Sequence, residues 1–227
     1  MHCLQVMVIE WRVLPLEDRT GRMPNKAAKR VIIIAGPSCA GKTTLVKALR
    51  QGNLPGLQNQ LRVSDPDGWL FCRARKMHDF TDCAGRNLVL HYDILRRMGA
   101  DLPSFDADEV LGFMTRAGDI TVITLWEKAD VLLERCRRRQ WTNLHNLRKG
   151  RFTYYLAKRR KLSEKYALFQ NPDALRRLYD RWFEFCSTLP ISAHHVIHSR
   201  CFDMFAIPAG QAVNIPTPST TILRKVL

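Results

Sequence analysis

Residues 31 to 45 read Val-Ile-Ile-Ile-Ala-Gly-Pro-Ser-Cys-Ala-Gly-Lys-Thr-Thr-Leu, and this run constrains the fold more than any other part of the chain. Val31 to Ala35 is short, apolar and β-branched, the pattern of a strand buried on both faces. Thr44 to Arg50 carries apolar residues at helical spacing and ends near Gly52. Between them, Gly36 and Gly41 bracket four residues, and Lys42 and Thr43 follow, completing G-x-x-x-x-G-K-T. The glycines allow the backbone to curl so that successive N–H groups, from Gly36 through Ser38, Cys39, Ala40, Gly41 and Lys42 to Thr43 and Thr44, point at phosphate oxygens. The helix N-terminus behind them adds its partial positive charge. In this pattern Lys42 sets an ammonium on the β- and γ-phosphates and the Thr43 hydroxyl ligates Mg²⁺. A strand–loop–helix unit that holds a nucleotide triphosphate is the first expectation.

The 227 residues fit one sizeable domain with extensions, and an apolar share of 46% is ample for a core. No apolar stretch approaches the roughly 20 residues of a membrane-spanning helix. Met1 to Leu16 is partly apolar, but it contains Glu10 and Arg12 and lacks a cationic start and a small-residue cleavage site, so no signal peptide is expected. The seven cysteines are scattered, with no C-x-x-C pair, which argues against a zinc site and a disulfide framework and makes a reducing cytoplasm the default. The net charge of +15 predicts attraction to polyanions. The excess is concentrated: residues 134 to 181 hold fifteen Lys/Arg against four Asp/Glu.

Further along, the pattern predicts a second strand at Leu61–Ser64, ending at Asp65-Pro66-Asp67-Gly68, and then a helix over Trp69–Phe80. Asn87–Ile94 reads as a third strand, Asp106–Ala117 as a helix, Asp119–Trp126 as a fourth strand and Ala129–Arg139 as a helix. Pro172–Leu189 is a helix with proline in its first turn, and His194–His198 is a fifth strand. Residues 1–29 form an N-terminal extension, 30–200 the domain, 134–165 a basic lid-like segment and 201–227 a tail. Strands alternating with helices imply a three-layer α/β domain around a mostly parallel five-stranded sheet.

The order of these parts resembles the P-loop kinases of nucleotides and small molecules, the group that includes shikimate, gluconate, thymidylate and adenylate kinases. The resemblance spans about Arg30 to Ser199, with the Walker A element as its specific part. It implies a P-loop NTPase fold, Mg-ATP as donor and phosphoryl transfer to a small-molecule or nucleotide acceptor. By this likeness one carboxylate of Asp65-Pro66-Asp67 holds Mg²⁺ through water while the other accepts the acceptor hydroxyl's proton. The same D-P-D-G is also good turn chemistry. Asp93 follows a hydrophobic strand as a Walker B carboxylate does, at the carboxyl edge of the sheet beside the loop, where it positions Mg²⁺-bound water or the acceptor. His91, two residues earlier and so on the same strand face, reads as a packed or hydrogen-bonded histidine rather than a catalytic one. Arg135 and Arg139 lie one turn apart on the helix after the fourth strand, where nucleotide kinases carry lid arginines, and guanidinium forks suit phosphoryl oxygens.

Other readings fit less well. Asp65-Pro66-Asp67-Gly68 and Glu127-Lys128-Ala129-Asp130 approach the GTPase patterns D-x-x-G and N-K-x-D. However, Glu127 replaces the asparagine amide, and the stretch from Lys42 to Asp65 is too short for a switch region. There is no serine-glycine-glycine signature of an ABC ATPase, no acidic pair of an AAA motor after Asp93, and the intact Lys42-Thr43 speaks against a sulfotransferase. The alternative that remains is a nucleic-acid-associated P-loop protein or polynucleotide kinase, with Trp141, Phe152, Tyr154 and Tyr155 interleaved among Lys149, Arg151, Arg159 and Arg160 for charge and stacking.

Overall fold

The computed structural model describes residues 27–63, 65–77, 80–96, 104–147, 163–199 and 204–206. The extension before residue 27, most of the tail and residues 148–162 of the basic segment lie outside this set.

The first strand, β1 (Arg30–Ala35), is buried along almost its whole length, as its unbroken β-branched run requires. β3 (Asn87–His91) pairs parallel with it on one side and β4 (Asp119–Trp126) on the other. β2 (Trp69–Arg73) adds parallel to β3, β5 (Ala193–His198) adds parallel to β4, and β6 (Met204–Ala206) closes the edge antiparallel to β5. The order β2-β3-β1-β4-β5-β6 therefore contains five parallel strands and one antiparallel edge strand that the sequence reading assigned to the tail. The helices are α1 (Lys42–Arg50), α2 (Pro55–Gln60), α3 (Glu109–Met114), α4 (Ala129–Leu147), α5 over residues 163–170 and α6 (Pro172–Ser187). The arrangement is compatible with a three-layer α/β fold. Successive strands run to one side of β1 and then to the other, so the carboxyl end of β1 lies at the point where strand order reverses.

The expected second strand and the helix after it are corrected. Leu61–Val63 is a turn following α2, with Arg62 at φ +50°, and the strand is Trp69–Arg73 inside the segment expected to be helical. Leu61 and Val63 are apolar because they are buried in the core, not because they pair in a sheet. Trp-Leu-Phe-Cys-Arg is a short apolar run that periodicity alone cannot tell from a helix segment, and its aromatic residues favour the pleat. The other expected elements fall in place, with shorter ends for α3 and for β3 and a longer α4, and the structure adds two helices that the pattern does not predict, α2 and α5.

The core runs under both faces of the sheet. Trp182 of α6 is buried, stacks on Tyr92 at 5.5 Å and meets Phe105 edge-on. Its Nε1 donates to Thr124 Oγ1 at 2.8 Å, and Thr124 lies 2.8 Å from His194 Nε2. The Thr124 oxygen accepts from Trp182 and keeps a proton to donate, for which Nε2 of a neutral His194 ring in its Nδ1–H tautomer is a fitting acceptor. Burial, with His195 alongside, lowers His194 to about 4, in agreement with that neutral state.

Candidate active site at the carboxyl edge of the sheet

The chain leaves β1 through Gly36 at φ +149°, and a Cβ there would lie 2.8 Å from the Leu125 carbonyl oxygen of β4. A side chain at this position is thus excluded by backbone, which lets the loop start flush against β4. Cys39 (φ +71°) and Gly41 (φ +93°) complete the curl in the left-handed region. Gly41 is the N-cap of α1, and no side chain caps that helix. Its first turn has no acidic residue, so the positive end of α1 faces the loop without a carboxylate of its own helix.

Lys42 is folded into the loop rather than extended from it. Its Nζ donates to the carbonyls of Gly36 (2.7 Å) and Pro37 (2.6 Å), and its side chain is 4% exposed. Burial lowers the ammonium to about 8, with Asp93, 3.8 Å away, opposing the shift. Asp93 has left β3 and turned toward the loop. Its Oδ2 accepts from Ser38 Oγ at 2.6 Å and its Oδ1 from the Leu95 N–H at 3.2 Å. Burial works to raise this carboxyl, but Lys42, Lys165 and the bonds from Ser38 and Leu95 outweigh it and hold Asp93 at about 2. Lys165, from α5, donates to Ser38 Oγ and stands 3.6 Å from Asp93. A carboxylate thus sits between two ammonium groups, bound to the loop through a serine.

Thr43 Oγ1 is 3.2 Å from His91 Nε2. Burial and the neighbouring Lys42 lower His91 to about 4, so the ring is neutral and acts as a hydrogen-bonding partner of Thr43. On the β4 side, Glu127 is 1% exposed and holds Arg135 Nη2 at 3.2 Å and the Ser199 hydroxyl at 2.5 Å. Arg135 Nη1 donates to Ser199 Oγ (2.9 Å) and to the Cys39 carbonyl (3.2 Å). Arg135 is therefore committed to bracing the loop from outside, whereas Arg139, one turn on, is exposed and near enough to act electrostatically on Lys42 and Cys39.

Asp65 and Asp67 are not in this group. They precede Trp69, which pairs level with Asn87 and hence with Arg30, at the amino edge of the sheet, whereas the loop leaves the carboxyl edge. Asp65 Oδ1 accepts the Asp67 N–H at 3.1 Å, capping a single 3-10 turn at Pro66–Gly68. The turn chemistry of D-P-D-G is what the structure displays, and the metal and base roles expected for this pair are withdrawn with the misplaced strand that carried them.

Lys165 and Glu127 are site members outside those expected from the sequence, and Ser38, expected for its backbone N–H, also contributes its hydroxyl. Glu127 had a signal, an acid directly after a strong apolar strand, but it was weighed only against a guanine-binding motif. Lys165 had none: it is one of fifteen basic residues between 134 and 181. Among the basic and aromatic residues named for nucleic acid, Lys149, Arg151, Phe152, Tyr154, Tyr155, Arg159 and Arg160 lie outside the described residues, and Trp141 is described only by its place on α4.

A cavity of about 250 Å³ opens beside Asp93 and Lys165. His91 and Asp93 line its loop side, and Arg75 and Arg96 reach it from the ends of β2 and β3. Arg96 is held at 3.2 Å by Asp108, a 1% exposed carboxylate that also caps α3 and accepts from Tyr92. Among the described residues no helix is long and apolar enough to cross a membrane, and no group of three or more His, Cys, Asp or Glu could hold a metal ion. No family model, curated protein or solved structure matches the chain.

Proposed function

We propose that the chain is a P-loop phosphotransferase that moves the γ-phosphoryl group of Mg-ATP to a small-molecule or nucleotide acceptor. The observation that carries this reading is the convergence of Lys42, Ser38, Asp93 and Lys165 at one glycine loop, at the reversal point of the sheet. The loop fits a polyphosphate. Its helix is uncapped, its lysine is buried among carbonyls that a phosphate would replace as partners, and Arg139 and Lys165 add positive charge. Thr43 and Asp93 supply hard oxygen donors suited to Mg²⁺, and the metal would supply charge neutralisation on the phosphates. In this reading Lys42 and the loop amides orient the donor. Arg135 keeps the loop in shape, and Lys165 and Arg139 meet charge on the transferred group.

The acceptor would occupy the cavity next to Asp93. A carboxylate held at about 2 is a weak base, so its role at the start is to orient the acceptor hydroxyl and take up the proton late, as the bond to phosphorus forms. Nucleotide binding is tested by calorimetric titration of ATP with Mg²⁺. Turnover is tested by phosphate-transfer assays over a panel of hydroxyl and phosphate acceptors, using the natural chain and Lys42→Ala. Binding and product formation lost together in Lys42→Ala support the proposal; full ATP-dependent turnover in that variant refutes it.

A further inference from the structure

Two arginines from neighbouring strands reach the cavity beside Asp93. β2 ends at Arg73, level with His91 of β3, and the 3-10 turn Ala74–Lys76 then carries Arg75 to the cavity wall. Beyond β3 the chain turns between Asp93 and Arg96, whose N–H donates to the Asp93 carbonyl at 2.8 Å. One short turn thus sets a carboxylate and a guanidinium on the same wall. Arg96 is fixed from the core. Its Nη1 donates to Asp108 Oδ1 at 3.2 Å, and that buried carboxylate also accepts from the Tyr92 hydroxyl and the Val110 N–H. Tyr92 in turn stacks on Trp182. Among the described residues Asp108 takes one of the five guanidinium N–H donors, which leaves Arg96 with donors for a ligand. Arg75 is exposed and pairs with no described residue.

The rest of the described lining excludes as well as admits. Ala74 and Leu95 are its apolar members, and no Phe, Tyr or Trp among the described residues offers a nucleobase a face to stack on. The volume of about 250 Å³ lies below the roughly 300–1,000 Å³ of most ligand pockets. Lys165 pairs with Asp93 at 3.6 Å, which leaves the two guanidinium groups to meet a charged ligand. Their flat N–H forks match the oxygens of a carboxylate or phosphate, and a neutral ligand would leave them unmatched. Asp93 and Glu164, the acids of the lining, accept hydrogen bonds and so call for hydroxyl groups on the same ligand.

We propose that the phosphoryl acceptor is a small, non-aromatic hydroxylated molecule bearing a carboxylate or phosphate, which Arg75 and Arg96 hold by that anionic group while Asp93 faces the reacting hydroxyl. This rests on the phosphoryl-transfer reading and narrows its acceptor, setting a nucleotide acceptor aside. The hydroxyl oxygen bonds to the γ-phosphorus as the bond from that phosphorus to the bridging oxygen breaks. ADP departs with the electron pair, and Asp93 takes the hydroxyl proton before passing it to water. Arg75 and Arg96 are then the residues that set specificity, and Asp108 is a positioning residue that acts through Arg96.

The test saturates the full chain with Mg²⁺ and the non-hydrolysable ATP analogue AMPPNP, then titrates ribose, ribonate, ribose 5-phosphate and AMP by calorimetry. These share a five-carbon skeleton and differ in charge and in the presence of a base. Ribonate or ribose 5-phosphate should bind at least about 10-fold more tightly than ribose, as one charge-assisted contact allows, and the better of the two names the anionic group. AMP should bind no better than ribose 5-phosphate. Arg75→Gln and Arg96→Gln should each weaken the anionic sugar by about 10-fold or more while AMPPNP still binds. The proposal is overturned if ribose binds as well as both anions, or if neither anion binds up to about 10 mM. It is equally overturned if AMP binds about 10-fold more tightly than ribose 5-phosphate, or if neither substitution weakens the anions. Arg96→Gln strips a partner from buried Asp108, so if it fails to fold, Arg75→Gln decides. If AMPPNP does not bind at all, the phosphoryl-transfer reading fails. The same titrations without nucleotide, compared between the arginine variants and Lys42→Ala, then still judge whether the cavity holds the anion.

Discussion

Lys42 is held by the protein in a way that only a competing anion would relieve. Its ammonium is buried, rests on two loop carbonyls and is lowered to about 8, so in the free chain its proton is lost across the mildly alkaline range. Phosphate oxygens beside it would favour the charged form and raise that value. Nucleotide binding should therefore take up a proton, increasingly so from neutral pH toward about pH 9. Titrations in buffers of different ionisation enthalpy would report the uptake, and a buffer-independent heat at that pH contradicts the role given to Lys42. Its truncation removes charge-assisted hydrogen bonds worth about 1.5–3 kcal/mol each, so Lys42→Ala should weaken nucleotide binding by about 100-fold. Gly36 makes a complementary point about backbone. A Cβ there meets the Leu125 carbonyl at 2.8 Å, and Gly36→Ala should cost about 2 kcal/mol in urea unfolding through a forced shift of loop or strand.

Among the elements, β2 decides what the candidate site contains. Because the strand begins at Trp69, the carboxylates before it lie at the amino edge, and what its other end delivers to the cavity is Arg75. Asp65→Ala and Asp67→Ala should leave turnover within about twofold, with Asp65→Ala losing about 1 kcal/mol of stability as a cap. Asp93→Asn should instead remove turnover while the chain stays folded. Rate and unfolding measurements on the three variants separate the two placements, and loss of turnover in Asp65→Ala would restore the discarded one. The loop, β1, β3, β4 and α6 were legible because each carries a strong local signal: an apolar β-branched run, a glycine pattern, or a proline-started amphipathic helix. β2 was not, since a five-residue apolar run fits either period and its true neighbours are set by pairing with β3. Lys165 was illegible for a different reason. Its place beside Ser38 depends on how α5 packs, and nothing in a run of basic residues marks which one turns inward.

At the scale of the whole molecule, buried neutral imidazoles give the fold a specific acid sensitivity. His194 closes a chain of hydrogen bonds from Trp182 of α6 through Thr124 of β4 to β5, joining a helix to two strands. Its folded value of about 4 lies below the ordinary 6.5, so between those values the unfolded chain binds the proton more readily and stability falls as pH falls. The same sign holds for His91, also at about 4. Asp93 acts in a separate window. Held at about 2, its contribution is intact at mildly acid pH and is lost only as pH drops below its ordinary 3.8. The loss between pH 6.5 and 4 therefore belongs to the histidines, with His194 contributing at most about 3 kcal/mol. His194→Gln keeps a hydrogen-bond acceptor for Thr124 and does not titrate. Urea midpoints followed across this range should fall less steeply with acid in His194→Gln than in the natural chain, by up to one proton's worth of slope. Parallel slopes would place the acid sensitivity elsewhere and remove the Thr124–His194 bond from the account of what joins α6 to the sheet.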